Sequence, residues 1–237
     1  MNHKTSFIIE EPESALARFR IRFRQRRAKI FREHFDLTAE TRILDLGGWN
    51  GTYMHAILEN SPVLPVNVYV ADIDERAVNE AAVRYGFTPI VMLEAGKLPF
   101  ADKFFDIVFC SSVIEHVTVP KEEVWTLVSG RRFRDAAYRH QQEFADEIRR
   151  LGKGYFVQAP YRWFPFETHS CLPFASYLPR SIQVPLFRCT NRFWIKKTMP
   201  DWYLPTISDM KRYFPDASIL KEYALGMTKS LIAYRRN

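Results

Sequence analysis

The stretch ILDLGGWNG, at residues 43–51, constrains the fold more than any other part of the chain. Its apolar start is typical of a buried strand, and three glycines follow within five positions, although the whole chain has only 9. A glycine turn between a strand and a helix lets backbone N–H groups approach a ligand closely, and the helix start adds positive potential. In doubly wound sheets, ligands bind outside the carboxyl ends of the strands, where such turns lie. The stretch therefore predicts a ligand site at the first strand-to-helix turn.

The rest of the chain alternates between strand and helix patterns. Asp74 predicts the N-cap of a helix over residues 75–85, and a hairpin with its turn at 225–229 joins the last two strands. The alternation predicts an α/β fold, with a doubly wound, mostly parallel seven-stranded sheet and one antiparallel strand. The predicted strands are 42–46, 66–71, 89–93, 105–111, 155–159, 218–224 and 230–235, and the other predicted helices are 52–59, 122–151 and 208–214.

Residues 160–206 interrupt this alternation. Seven prolines lie there among many aromatic residues. Prolines at this density disfavour long helices and central strands. An irregular stretch of this length inside a compact domain is usually a lid or binding insertion. We therefore divide the chain into an N-terminal basic helical segment, 1–40, and a domain over 41–237 that contains a Pro/aromatic-rich substrate-lid insertion at about 160–206.

The positive charge of the chain is concentrated near its N-terminus. Residues 1–35 hold nine Lys and Arg against four acids, which gives +5 of the total +7. Residues 17–24 alternate apolar and Arg like a strand, but a longer apolar stripe and Ser14 as a possible N-cap favour a helix. Such a surface can attract phosphates, nucleic acid or an anionic membrane, or it can be a solvated helix face, because a charge run alone specifies no partner.

Cysteine count and hydropathy limit the class of protein. The three cysteines form neither a disulfide framework nor a zinc-binding pattern, which favours a reducing compartment. No signal peptide is recognisable, and no apolar run approaches the ~20 residues of a membrane span. We therefore expect a cytoplasmic protein without a transmembrane segment. No His/Cys metal cluster is visible in the sequence, so we expect no metal.

The glycine turn does not fit a dinucleotide site. The pattern Gly-x-Gly-x-x-Gly, started at Gly47, requires glycine where Trp49 and Thr52 stand. Asp45 precedes the glycines, and its carboxylate would repel a diphosphate. The same carboxylate suits a cationic amine, either directly or through water.

Three motifs in order resemble those of the class I S-adenosylmethionine-dependent methyltransferases, of the general small-molecule type. The first is DLGGWNG at 45–51, where Trp49 replaces the middle glycine of the family pattern. The second is VYVADID at 68–74, with Asp72 at a strand end. The third, MLEAGKLPFADKFFDIVFCSSVIEHV at 92–117, is the strongest match. The resemblance covers roughly residues 40–159 and the terminal hairpin, and it implies a Rossmann-like methyltransferase fold.

The resemblance also implies the cofactor and its contacts. The cofactor would be S-adenosyl-L-methionine, and the product S-adenosyl-L-homocysteine. Asp72 would accept hydrogen bonds from both ribose hydroxyls, because a carboxylate has two oxygens for two donors. Ile73 would pack against the adenine, Glu94 and Ala95 would hold its edge, and Ser111 would lie where the methionine part passes. The glycine-turn residues of this set are Asp45, Gly47, Gly48, Trp49, Asn50 and Gly51.

A base is needed only if the methyl acceptor must lose a proton, as a hydroxyl must. The segment APYRWFPFETHS at 159–170 follows the fifth strand and offers His169, a side chain that titrates near neutrality. Glu167 could orient it. His116 is the rival candidate. Each histidine also has a purely structural interpretation, His169 as part of an ordered loop and His116 as part of a helix start.

The predicted function is methylation of a small molecule. The aromatic and basic insertion suits a sugar, phenolic or natural-product acceptor, and the attacked atom is expected to be a hydroxyl oxygen. Two alternatives stay open. One is an RNA methyltransferase that grips phosphates with the Arg-rich residues 18–32, although no nucleic-acid-binding module is visible. The other is a non-catalytic cofactor-binding protein that docks to a partner or a membrane surface.

Overall fold

Strands and helices alternate along the chain in the computed structural model, which describes residues 15–92, 97–166, 169–194 and 196–236. The strands are β1 (Ile43–Leu46), β2 (Val68–Asp72), β3 (Thr88–Val91), β4 (Phe105–Ser111), β5 (Gly152–Pro160), β6 (Ser218–Ala224) and β7 (Met227–Arg235). The α-helices are α1 (Ala15–His34), α2 (Thr52–Ile57), α3 (Glu75–Tyr85), α4 (Gly130–Leu151), α5 (Arg180–Thr190) and α6 (Ile207–Tyr213).

All seven strands form one sheet in the order β3-β2-β1-β4-β5-β7-β6. The first five strands in this order, from β3 through β2, β1 and β4 to β5, are parallel. Strand β7 runs antiparallel to both β5 and β6. The predicted fold class is therefore confirmed. The chain leaves β1 toward β2 on one side and meets β4 on the other, so the strand order reverses beside β1. The glycine turn follows β1, at the position where doubly wound sheets bind ligands.

Helices cover both faces of the sheet, which is why its central strands are mainly apolar. In β1, Ile43 packs with α1, α2 and α3, whereas the next residue, Leu44, packs with α4 and α6. Both side chains are fully buried. Successive side chains of a strand point to opposite faces, so a strand with two covered faces has no polar side.

Helix α1 joins this core through an apolar stripe, which confirms the helical prediction for the basic segment. Phe31 is fully buried, and its ring lies 5.5 Å from Phe109 and 5.7 Å from Phe156, both at steep angles. Among the polar residues of α1, Arg27 points inward and forms an ion pair with Glu222 of β6 at 2.8 Å. Ser14, the expected N-cap, lies outside the described residues.

Several element boundaries differ from the sequence prediction. Asp74 does cap α3, accepting from the N–H groups of Arg76 and Ala77. Helix α4, however, begins at Gly130 behind the N-cap Ser129, not at residue 122. Strand β7 begins at Met227 because the hairpin turn needs only two residues with positive φ, Leu225 and Gly226.

The expectation that the proline-rich segment would hold no long helix was wrong for residues 180–190. Helix α5 spans 11 residues with Pro185 inside it. A proline removes one internal hydrogen bond, and burial of the flanking Val184 and Phe187 offsets that loss. No helix in the described part of the chain combines the length and apolar character that crossing a membrane requires.

Candidate functional site

The glycine turn after β1 closes over a buried carboxylate. Gly47 has a φ of 76°, and its N–H donates to the carbonyl of Ala71 at 2.7 Å. A Cβ on Gly47 would lie 2.4 Å from a methyl of Val113, and one on Gly48 would lie 2.3 Å from Oδ2 of Asp45. Glycine is therefore required here for space as well as for backbone conformation.

Trp49, the residue that departs from the family pattern, adopts a left-handed backbone conformation. Its φ is 49°, so the turn keeps a path that glycine normally provides. Its side chain is 59% exposed, and its N–H donates to Oδ2 of Asp72 at 2.9 Å. Asn50 supports the same turn, because its Oδ1 accepts from the N–H of Thr52 at the start of α2.

Asp72 is the last residue of β2 and faces the glycine turn. Its Oδ1 accepts from the N–H of Asp74 at 3.1 Å, while Oδ2 accepts from Trp49. A carboxylate has about four acceptor positions, so two remain in principle for ligand hydroxyls. The adjacent Ile73 is half-exposed at the same edge. Glu94 and Ala95 lie outside the described residues, and their adenine role stays a prediction.

Asp45 is buried beneath the turn, with only 4% of its surface exposed. Burial, and secondarily the negative charge of Asp72, raises the pKa of Asp45 to about 7. A cationic group of a ligand above the turn would favour the ionised form. Near neutral pH, Asp45 can therefore change between its neutral and its ionised form, and a bound cation would shift it to the carboxylate.

Replacing Asp45 with asparagine is expected to flatten the pH dependence of stability in the ligand-free protein. Because the pKa of Asp45 is higher in the folded state, the folded protein holds a proton that the unfolded chain releases between about pH 4 and 7. Wild-type stability should therefore fall as pH rises through this window, by on the order of 2 kcal/mol from this group. Urea unfolding of the wild type and of Asp45→Asn at pH 5 and pH 8 measures how much the free energy of unfolding changes with pH. An equal change in both proteins would contradict the prediction.

At the end of β4, two neighbouring serines donate to the same buried amide. The Oγ of Ser111 donates to Oε1 of Gln158 at 2.8 Å, and Ser112 donates to the same atom at 3.1 Å. Gln158 lies on β5 and is fully buried. The hydroxyl of Ser111 thus holds β4 to β5 at the sheet edge, and its predicted contact with the methionine part of the cofactor stays a prediction.

Two histidines and a carboxylate meet just past β4. A short 3₁₀ turn, Ile114–His116, follows the strand and carries Glu115 and His116. The rings of His116 and His169 are 4.8 Å apart, and Nε2 of His169 lies 3.9 Å from Oε1 of Glu115. The structure therefore brings together both histidines named from the sequence. Glu167, the predicted partner of His169, lies outside the described residues.

The sequence prediction missed the residues that surround these histidines. Glu115 is fully buried, which raises the pKa of its carboxyl, although the nearby His116 and His169 oppose the rise. Asp201 lies 3.3 Å from Nδ1 of His116, and the ring of Trp202 stacks on His169 at 5.4 Å. The Glu-His pair after a strand end was the available signal for Glu115. Nothing in the sequence marked Asp201 or Trp202.

Known proteins share the fold described above, and a family model matches part of the sequence. Residues 44–129 match the family model described as a methyltransferase domain. The fold is similar to that of magnesium protoporphyrin IX methyltransferase from Synechocystis PCC 6803, solved with bound SAH (TM-score 0.51, 16% identity, 99% of this chain and 90% of that chain). It is also similar to the PH0226 protein from Pyrococcus horikoshii OT3 (TM-score 0.55, 17% identity, 95% and 93%). No curated protein matches the sequence significantly.

Residues 44–129 are therefore similar to a methyltransferase domain, and the two solved structures share the fold of this chain. The cofactor that the sequence motifs imply is S-adenosylmethionine. The described residues fit this ligand. Gly47 and Gly48 leave no room for a side chain above the buried Asp45, and the strand-end carboxylate of Asp72 faces the same turn. An exposed apolar side chain, Ile73, lies beside that carboxylate.

Proposed function

We propose that this protein is a cytoplasmic methyltransferase that methylates a hydroxyl oxygen of a small molecule, of the sugar, phenolic or natural-product type. The observation that carries this proposal is the meeting of His116 and His169 beside the glycine turn. Val113 links the two features, since it packs against Gly47 and lies two residues before Glu115. A proton acceptor next to the cofactor turn suits a nucleophile that must lose a proton.

The bound cofactor supplies an electrophilic methyl group. In this proposal, the residues that hold it are Asp72 and Ile73, with Ser111 at the methionine end and Glu94 and Ala95 at the adenine. The glycine turn, 45–51, offers its backbone N–H groups, and Asp45 offers negative charge toward the cationic part. The chain itself contributes mainly alignment of the two reactants, which can be worth ~7–11 kcal/mol of barrier.

His169 is our first choice for the general base, and His116 is the second. An imidazole titrates near neutrality and can accept a proton from a hydroxyl positioned within hydrogen-bond distance. Glu115 lies close to Nε2 of His169 and can stabilise the imidazolium that results. Asp201 is placed to do the same for His116.

Exposed aromatic side chains in the insertion support a ring-bearing acceptor. Trp163, Phe174 and Tyr177 are each between 40% and 56% exposed, and their rings lie within about 6 Å of their neighbours. The guanidinium of Arg162 lies 5.5 Å from the Trp163 ring. A surface of flat apolar rings beside a fixed cation suits sugars and phenols, which present one apolar face and polar edges.

Helix α1 gives the RNA alternative its specific support. Arg22, Arg24 and Arg26 are exposed on its outer surface, whereas Arg27 is buried against the sheet. These three side chains are available to phosphates, and their contribution would weaken steeply as salt is raised.

The test begins with thermal unfolding in the presence of S-adenosylhomocysteine, S-adenosylmethionine or NAD. A ligand at about 100 times its Kd adds ~2.7 kcal/mol, which for a chain of this size raises Tm by roughly 5–10 °C. We expect this shift with both adenosyl ligands and none with NAD. Absence of any adenosyl shift would refute cofactor binding.

Radiolabelled methyl transfer then separates the functional candidates. We expect incorporation into hydroxyl-bearing small molecules, and a loss of at least 100-fold in kcat for His169→Gln with an unchanged Kd for S-adenosylhomocysteine. His34→Gln, in a histidine that packs on Tyr234 away from the site, is the matched control and should retain activity. Incorporation into RNA alone would favour the second candidate. Cofactor binding with no transfer to any acceptor would leave the non-catalytic interpretation.

A further inference from the structure

We propose that Glu115, His116 and His169 form a binding site for a divalent transition-metal ion of the Zn²⁺ type. The inference rests on the proposed function, because the ion would hold the acceptor oxygen of the same reaction. Each of the three residues offers one donor atom, and the three donors lie within 4.8 Å of one another. Two imidazoles and one carboxylate are a donor set that catalytic zinc sites use.

The spacing of the donors is close to that of a loaded site. Around a tetrahedral Zn²⁺ with bonds of about 2.0–2.2 Å, neighbouring ligand atoms lie about 3.4 Å apart. Nε2 of His169 and Oε1 of Glu115 are already at 3.9 Å. The donor separations, at most 4.8 Å, would have to shorten by on the order of an ångström for the three atoms to bind one ion.

Burial of Glu115 points independently to a cation. The residue has 0% relative exposure, and neither carboxylate oxygen has a hydrogen-bond partner among the described residues. An unpaired buried carboxylate is costly, and pairing or metal coordination is the usual compensation. The Glu115 carboxylate already faces His169. A cation bound between Glu115 and His169 would therefore give the carboxylate oxygens a partner.

Residues 201–203 contact the proposed ligands and hold them in position, as the residues around metal sites commonly do. Asp201 lies 3.3 Å from Nδ1 of His116, and a carboxylate in this position fixes the tautomer in which Nε2 is the ligating atom. Trp202 is nearly buried and stacks on His169, which restricts the orientation of that ring. The N–H of Tyr203 donates to the backbone carbonyl of Glu115 at 2.7 Å, so residues 201–203 are tied to the 3₁₀ turn.

The number of protein donors leaves room on the metal ion for the methyl acceptor. Three protein donors leave at least one coordination position on a four-coordinate ion, and a hydroxyl oxygen of the acceptor is the ligand expected there. Coordination would lower the pKa of that hydroxyl, and its proton would pass to water. In the metal-bound protein, His116 and His169 therefore act as ligands, and the ion takes over the activating role proposed above for a histidine base. The acceptor class narrows accordingly to molecules whose reactive hydroxyl can bind a metal, such as catechols, vicinal diols and hydroxyacids.

This inference reverses the sequence-based expectation of no metal. That expectation rested on the absence of a recognisable His/Cys ligand spacing. The proposed ligands come instead from two segments separated by 53 residues, which meet only at the sheet edge. Short-range spacing rules cannot detect such a site.

The decisive experiment is Co²⁺ titration of the untagged, metal-free protein, followed by optical absorption and by competition with Zn²⁺. We expect one Co²⁺ per chain with visible absorption bands of a four- or five-coordinate ion, displaced by Zn²⁺. Glu115→Gln and His169→Gln should each weaken Zn²⁺ binding at least 10-fold, and the double variant should abolish the absorption. His34→Gln is the matched histidine control and should bind as wild type does.

Each outcome bears on one proposal separately. Absence of stoichiometric Co²⁺ binding, or binding that the cluster variants leave unchanged, overturns the metal site. Titration of S-adenosylhomocysteine into the same metal-free protein reports on the cofactor site alone, so loss of that binding would instead overturn the proposed function. Thermal unfolding of every variant shows that it is folded, and His116→Gln provides a further variant if one of the others is not.

Discussion

Replacing Arg27 with methionine is expected to lower the free energy of unfolding by about 3–5 kcal/mol. Arg27 and Glu222 have only 9% and 1% of their side-chain surface exposed, and their charged atoms lie 2.8 Å apart. Methionine preserves much of the packing volume but leaves the Glu222 carboxylate buried without its partner. An uncompensated buried charge is the costly element here, rather than the lost attraction itself.

Urea unfolding measures this effect, and two further variants define its origin. The double variant Arg27→Met/Glu222→Leu removes both charges and should recover most of the lost stability. Lys29→Met, in the exposed pair with Glu33 on the same helix, should change stability by about 0.5 kcal/mol or less. If Arg27→Met is as mild as Lys29→Met, α1 is not docked on the sheet through this pair.

The second large effect concerns cofactor affinity. Asp72→Ala is expected to raise the Kd for S-adenosylhomocysteine at least 100-fold. Hydrogen bonds to a charged group are worth about 1.5–3 kcal/mol each, and the variant removes the acceptor that we propose for two ribose hydroxyls. It also releases the N–H of Trp49, which the carboxylate holds at 2.9 Å, so the turn loses an anchor.

Isothermal titration calorimetry measures this Kd directly. Asp74→Ala is the matched control, because Asp74 lies two residues away and caps α3 through Arg76 and Ala77. That variant should lose about 1 kcal/mol of stability with little change in affinity. Near-normal affinity of Asp72→Ala would remove the ribose role from this residue.

The sheet and its glycine turn were predictable because local chemistry dictates them. An apolar run followed by Gly47, Gly48 and Gly51 permits few alternatives, and the acidic cap Asp74 fixes where α3 begins. Trp49 was the uncertain point of the motif. Its positive φ shows that the surrounding turn, closed by hydrogen bonds to Asp72 and Ala71, imposes a glycine-like path on a large residue.

The histidine cluster was only half predictable. His116 and His169 could be named because each follows a predicted strand, and parallel strands end at one edge. Their contact with Asp201 and Trp202 depends on how the chain returns after α5, and no periodicity records that path. The same limit applies to Pro185, since helical propensity argues against α5 and only the burial of its apolar side favours it.

Anchoring of α1 to the final hairpin has a consequence for synthesis on the ribosome. Arg27 contacts Glu222 and Ser230, which are 195 and 203 positions later in the chain. At about 5–20 residues per second, the partners of Arg27 emerge about 10–40 s after the helix does. Phe31 gains its partners Phe109 and Phe156 earlier, but the inward-facing arginine has no partner during that interval. A nascent chain should therefore expose the basic side of this helix to chaperones until the last two strands are made.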